Sequence, residues 1–167
     1  MRHVIIAIFF ALSLSVTVSP NVLAATDNAV NSEIPAAPNA LSEQDKNTWK
    51  LAHQGIAKEQ LSLGLIYVQG RGVAKDEAQA AYWYRKAAEQ GYAQGQFYLG
   101  TMYQFGSGVT KDDVQAVNWY RKAAEQGYAD GQYSVGVMYD IGRGVTKDEA
   151  QAAYWYRKAA EQGHSEG

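Results

Sequence analysis

The chain has 167 residues, and its 15 Lys and Arg nearly balance 17 Asp and Glu, for a formal net charge of −2. That balance excludes the basic footprint of a nucleic-acid binder, and charges interspersed in this way read as a solvated surface. The absence of cysteine excludes a disulfide framework and a thiol nucleophile, so stability must come from packing alone.

Met1-Arg2-His3 is a short basic start, followed by an uncharged, mostly apolar run from Val4 to Val18 and then Val22-Leu23-Ala24. This layout predicts a secretory signal peptide over 1–24, with cleavage after Ala24. The run is shorter than the roughly 18–20 residues that cross a bilayer, which argues against an uncleaved anchor. No second apolar stretch follows, so no membrane association is expected after cleavage, and the mature chain is expected in the periplasm or secreted. Residues 25–41 carry two prolines and no strong periodicity, and read as a flexible lead. Residues 42–55 read as a degenerate capping helix, because Lys50, Ala52, Gln54 and Gly55 stand 36 residues before Lys86, Ala88, Gln90 and Gly91. Trp49 falls in register with Arg85 and not with Trp83, which implies local repacking there.

From Ala57 onward the chain repeats every 36 residues. Gly70 to Gly91 and Gly142 to Gly163 differ only at Ala74 and Thr146, and a looser copy runs from Gly106 to Gly127. A repeat of this length is one supersecondary unit that cannot bury its own apolar face, so the copies 57–92, 93–128 and 129–164 must stack into a superhelical scaffold. In the middle copy, Ala93, Gln96, Leu99, Gly100 and Tyr103 follow spacings of three and four, which predicts a helix over Ala93 to Phe105. Gly106 and Gly108 stop it, since glycine takes φ > 0 without steric cost. Asp112 is placed to cap a second helix with Gln115 at its third position, and Gly127 ends that helix. Its expected buried stripe is Ala116, Trp119, Tyr120, Ala123 and Ala124. Residues 165–167 match the register of Ala129-Asp130-Gly131 and read as the truncated start of a fourth repeat. Solenoids normally carry a polar terminal cap. The uncapped C-terminal end, around Trp155, Tyr156 and Ala159, is therefore expected either to self-associate or to fray.

These copies resemble Sel-one-like repeats, relatives of the tetratricopeptide repeat. The resemblance rests on the first-helix pattern of Ala93 to Tyr103, on the Gly-x-Gly-Val-x-x-Asp connection, and on Trp-Tyr-x-Lys-Ala-Ala-x-x-Gly at Trp119 to Gly127. It implies an all-α fold, a right-handed α/α superhelical solenoid of three helix-turn-helix repeats behind an N-terminal capping helix. It also implies an adaptor for a protein or peptide ligand, and for exported members a role in envelope regulation or host contact. Some cysteine-rich members bind or hydrolyse β-lactams, so the alternative is a cell-envelope hydrolase or β-lactam-binding protein. This chain departs from those members in having no cysteine.

Positions that vary among the three copies are free of the stacking duty. On the first helices they include Lys58, Ser62 and Leu65; Gln94, Phe97, Tyr98, Thr101, Gln104 and Phe105; and Asp130, Ser134, Val137 and Asp140. Successive positions are one, three or four apart and so share one helix face. By resemblance to tetratricopeptide domains this stripe is the concave, partner-binding groove; the alternative is that these positions are simply tolerant surface. Lys58 is the one base in it, which argues against a clamp for a C-terminal carboxylate there. The unvarying Arg85/Glu89, Arg121/Glu125 and Arg157/Glu161 read as exposed i,i+4 pairs, or else as a second interaction stripe.

No catalytic constellation assembles, and no cofactor or metal is expected. Cysteine is absent, and the chain lacks a paired-histidine metal spacing. His53 falls in the last turn of the capping helix, and His164 takes the place of Tyr92 and Tyr128. Asp112-Asp113 recurs as Asp76-Glu77 and Asp148-Glu149, which marks a helix start. Gly70-Arg71-Gly72 with Lys75 lacks the spacing and preceding strand of a phosphate loop and reads as a turn.

Overall fold

Short glycine turns and capping aspartates divide residues 34–163, the part of the chain that the computed structural model describes, into seven helices with no strand. They are α1 (Glu43–His53), α2 (Ala57–Gln69), α3 (Glu77–Glu89), α4 (Ala93–Phe105), α5 (Asp113–Glu125), α6 (Ala129–Ile141) and α7 (Glu149–Ala160). The signal peptide expected over 1–24, most of the lead, His164 and the fourth-repeat start at 165–167 lie outside the described residues. The helices belong to one unit that begins at Ala36. Each helix packs on the next in sequence, so α2–α3, α4–α5 and α6–α7 are the three helix pairs of an all-α solenoid, and α1 covers the first of them.

The second helix of every pair begins the same way. Asp76, Asp112 and Asp148 have extended backbone, and their carboxylates accept from the amides of Gln79, Gln115 and Gln151 at 2.9, 3.0 and 2.9 Å. Capping of this kind satisfies amides that the helix itself leaves free. The first helices end at a left-handed glycine, as at Gly106 with φ of 72°. The second glycine of that turn does something different. Gly108 has φ of 67°, and a Cβ there would run into the Glu77 carbonyl and the Ala78 amide at the start of α3. The turn of one repeat thus closes on the backbone of the repeat before it.

The same closure accounts for a departure at the N-terminal end. Ala40 and Leu41 stand 36 residues before Asp76 and Glu77, and a Cβ on Gly72 would lie 2.7 Å from the Ala40 carbonyl. The end of the lead therefore fills the place of a preceding second helix. Leu41 is only 4 % exposed, in a cluster with Trp49, Leu63, Ile66 and Trp83. Residues at the end of the 25–41 segment are part of the core, because the Gly72 turn needs a backbone to close on. Trp49 is buried there too, which resolves its register mismatch with Trp83.

Burial along the middle repeat is also broader than the spacing implied. Helix α4 buries Gly95, Gln96, Leu99, Gly100 and Met102, whereas Ala93 and Tyr103 are half-buried. Helix α5 buries Val117 with Ala116, Tyr120, Ala123 and Ala124, and Trp119 is half-buried. Trp119 reaches back to the core of the preceding repeat and carries Lys122 3.9 Å above its ring. Its counterpart Trp83 is buried because α1 supplies Trp49 and His53 over it. At the other end, Ala159 is buried, contrary to the expected exposed patch, since α6 packs along α7. Trp155 and Tyr156 are half-buried, and Tyr154 is the outward aromatic.

A substitution separates the two duties of these glycines. Gly91 has φ of 84° with nothing within 4 Å of the place a Cβ would take, whereas Gly108 meets backbone. Both changes to alanine incur the left-handed strain, of order 1–3 kcal/mol. Urea unfolding should show Gly108→Ala to be clearly the more destabilising of the two; equal losses would mean that the turn does not hold the repeats together.

Candidate interaction surface

The face in question is built on a frame that repeats every 36 residues. Buried Gln60, Gln96 and Gln132 donate from Nε2 to the carbonyls of Ala52, Ala88 and Ala124 at 3.3, 3.3 and 3.1 Å. Each accepts in turn from Gln90, Gln126 or Gln162 at 2.6, 2.7 and 2.8 Å. Every such glutamine therefore ties the second helix of one repeat to both helices of the next. A buried amide must be satisfied or it costs about 1–3 kcal/mol. The ladder thus fixes the rotation of α2, α4 and α6, and with it the direction of everything on their far side.

On α2, Lys58 is exposed, Ser62 is half-buried with its hydroxyl bonded to the Lys58 carbonyl at 3.1 Å, and Leu65 leans on the core. On α4, Gln94, Phe97, Tyr98, Thr101 and Gln104 are half-buried, and Phe105 is 66 % exposed. On α6, Asp130, Ser134 and Val137 are half-buried and Asp140 is exposed. Several of these side chains have packing duties that residue spacing does not reveal. Tyr98 stacks on Tyr84 with ring centroids 5.1 Å apart. Phe97 sits among Tyr98, Tyr120 and Tyr128 at 5.4, 5.7 and 5.5 Å. The Tyr120 hydroxyl donates to Gln104 Oε1 at 2.6 Å and lies 3.2 Å from Thr101 Oγ1. Gln104 also reaches Met138 Sδ of the next repeat at 3.9 Å.

The exposed pairs expected on the second helices are not formed among the described residues. Arg85 and Arg121 donate instead to the hydroxyls of Tyr103 and Tyr139 at 2.9 and 2.8 Å, each lying about 6 Å from the ring of the first helix that follows. A planar guanidinium gains more from a ring and hydroxyl held in place than from a mobile glutamate. The arginines of the Gly-Arg-Gly turns also have partners that motif reading missed. Arg143 binds Asp113 with bonds of 2.6 and 3.4 Å, and Arg71 binds Asp45 at 2.8 Å. Recurrence of Asp or Glu just after the capping aspartate, 30 residues before the second arginine, was the available signal.

His53 packs within the N-terminal cap: Nδ1 lies 2.8 Å from the Trp49 carbonyl, and the ring lies 4.8 Å from both Trp49 and Trp83. Among the described residues no group of three His, Asp or Glu side chains is placed to hold a metal ion. No described helix is long and apolar enough to cross a membrane.

Tyr128, at the start of α6, has its phenol pushed up to about 12 from 10.0, first by burial and then by its hydrogen bond to Asp130. A tyrosine that ionises less readily when folded contributes its stability fully below pH 10 and loses it as pH rises towards 12. Alkaline melts should therefore fall through that window, and Tyr128→Phe should flatten the fall. An unchanged pH profile in that variant would remove Tyr128 as the cause.

A family model of the Sel1 repeat matches residues 60–92, 93–128 and 129–164. No curated protein matches the chain. Among solved structures, the chain is similar to a protective antigen present in uropathogenic Escherichia coli strains that displays an SLR fold, with 48% identity and a TM-score of 0.69 over 71% of this chain and 26% of that one. It is similar to a Sel1 repeat protein from Oxalobacter formigenes, with 41% identity and a TM-score of 0.67 over 73% of this chain and 53% of that one. It is also similar to cysteine rich protein B of Helicobacter pylori, with 27% identity and a TM-score of 0.58 over 72% of this chain and 92% of that one. The chain spans about a quarter of the length of the first of these and about half of the second. Three consecutive repeat matches over most of its length show that the chain belongs to the Sel1 repeat family.

Proposed function

We propose that this chain is an exported scaffold that holds a protein or peptide segment along the face formed by α2, α4 and α6. Proteins of this fold generally serve as protein–protein interaction scaffolds. The observation that carries the reading is Phe105, 66 % exposed at the end of an otherwise packed helix, with Ile141, 51 % exposed, in the same place one repeat later. Exposed apolar side chains at matching positions give a partner two anchors one repeat apart, and such anchors dominate many interfaces. The placing of the face on the inner side of the curve is supported by the contact of α2 with α4; α3 with α5, α5 with α7 and α4 with α6 make no equal contact among the described residues. Asp130 and Asp140 favour basic residues at the α6 end, and Lys58 favours an acidic one at the α2 end. Tyr98 serves the core through Tyr84, so Phe105 is the cleaner test of binding.

Peptides selected from a display library on the purified protein should carry an apolar anchor with Lys or Arg beyond it. Phe105→Ala should weaken them about thirtyfold, the roughly 2 kcal/mol typical of an aromatic anchor, without change in helix content. Peptides that bind the variant equally well would remove the face from consideration.

Export rests on the basic start, the apolar run and Val22-Leu23-Ala24. Host contact as its setting is supported by the similarity to a protective antigen of uropathogenic strains. Intact-mass measurement of protein recovered from outside the cytoplasm should show residues 1–24 missing, and a mass that retains Met1 would contradict cleavage.

A further inference from the structure

The second helices α3 and α5 splay apart, and between them lie two adjoining hollows of about 480 and 200 Å³ that share Arg85 and Val109. Tyr103, which lines the larger, is five residues from Tyr98 on α4 and so faces roughly opposite to the stripe described above. The two hollows differ in chemistry. The smaller has a floor of Ala78, Ala81 and Val109 and a wall made by the Tyr82 ring, which is 48 % exposed. The larger is edged by Arg85 and Lys111.

Lys111 differs from its counterparts, whereas Arg85 is held as Arg121 is one repeat later. Lys75 pairs with Glu77 at 3.4 Å and Lys147 with Glu149 at 3.2 Å. In the middle repeat the equivalent acid is Asp113, one methylene shorter and already held by Arg143. Lys111 consequently has no ion pair among the described residues. Arg85 has none among them either, since its partner is the neutral Tyr103 hydroxyl. The carboxylate that lines the same hollow, Asp112, is committed to the Val114 and Gln115 amides, where the helix N-terminus offsets its charge. One repeat later the arrangement does not recur: Asn118 stands for Tyr82, Val114 for Ala78, and Lys147 is paired.

We propose that this cleft takes the C-terminus of a partner polypeptide that ends in an aliphatic residue. The main-chain carboxylate sits between Arg85 and Lys111, and the last side chain enters the hollow over Ala78, Ala81 and Val109. A terminal residue fits because its carboxylate and its own side chain branch from one carbon, as the two hollows adjoin. An internal Glu or Asp carries its charge away from the neighbouring apolar side chain and must let the chain continue on both sides. The site is independent of the stripe on α2, α4 and α6.

The test uses a dye-labelled Gly-Ser-Ala-Ala-Leu peptide as free acid, its C-terminal amide, and a free acid ending in Ser. Fluorescence anisotropy reads affinity, and amide shifts in NMR spectra locate the site. The free acid ending in Leu is expected to bind saturably and to shift Tyr82 and Val109. The amide and the Ser peptide should each bind at least tenfold more weakly. Lys111→Gln and Arg85→Gln should each lose at least threefold, with melting temperatures close to wild type, whereas Lys147→Gln should lose nothing. Equal binding of acid and amide, equal losses in Lys111→Gln and Lys147→Gln, shifts confined to the Phe105 face, or no saturable binding would each overturn the proposal. Because Lys111 is an exposed side chain, that variant tests the site even where Arg85→Gln disturbs the Tyr103 contact.

Discussion

The ring of Tyr120 lies close against Gly100, and the other features of the repeat are arranged around that approach. A Cβ on Gly100 would come within 2.7 Å of the tyrosine ring, and the same holds for Gly136 beneath Tyr156 and, at 2.5 Å, for Gly64 beneath Tyr84. The missing side chain lets the first helix take the ring of the second at contact distance, so Tyr84 and Tyr120 are almost wholly buried. Each buried large apolar side chain is worth about 1.5–3 kcal/mol. Burial also drives the phenols of Tyr84 and Tyr120 up, a sign of how dry the contact is. Without cysteine, this packing and the glutamine ladder are what hold each pair together.

The approach within a repeat would leave repeats free to slide over one another. Polar groups and turn glycines fix their register. Gln96 bonds backward to Ala88 and accepts forward from Gln126, while Gly95 packs its backbone on Ala87. The Gly108 turn closes on the start of α3. At the N-terminal end the same requirements are met by different residues: Gln60 bonds to Ala52 of the capping helix, and Leu41 takes the place of a helix start. A one-dimensional stack needs something at its first repeat to satisfy these groups, and α1 with the preceding residues does so.

Small departures from exact repetition give the scaffold its individuality. Asp113 in place of a glutamate frees Lys111, and Ser107 in place of an arginine leaves Glu77 to pair with Lys75. Tyr82, Asn118 and Tyr154 occupy one position in three successive repeats. Such changes cost the frame little because they lie outside the Tyr–Gly contact and the ladder. They nevertheless alter charge and shape at one junction only, which is how a repetitive fold acquires distinct surfaces.

The 36-residue period, the capping aspartates and the glycine stops were local signals, and they determined by themselves the helix bounds, the number of repeats and the family. Helix Ala93–Phe105 and the Asp112 cap stand where the spacing placed them. Which half-buried residues serve packing and which remain exposed depended on neighbours that a single repeat does not contain. Tyr98 and Phe105 look alike in the pattern, yet the first is stacked on Tyr84 and the second projects outward. Arg85 looks like half of a surface ion pair until α4 places Tyr103 beside it. Period and turn chemistry are properties of the chain, whereas burial and pairing arise only when one repeat lies against the next.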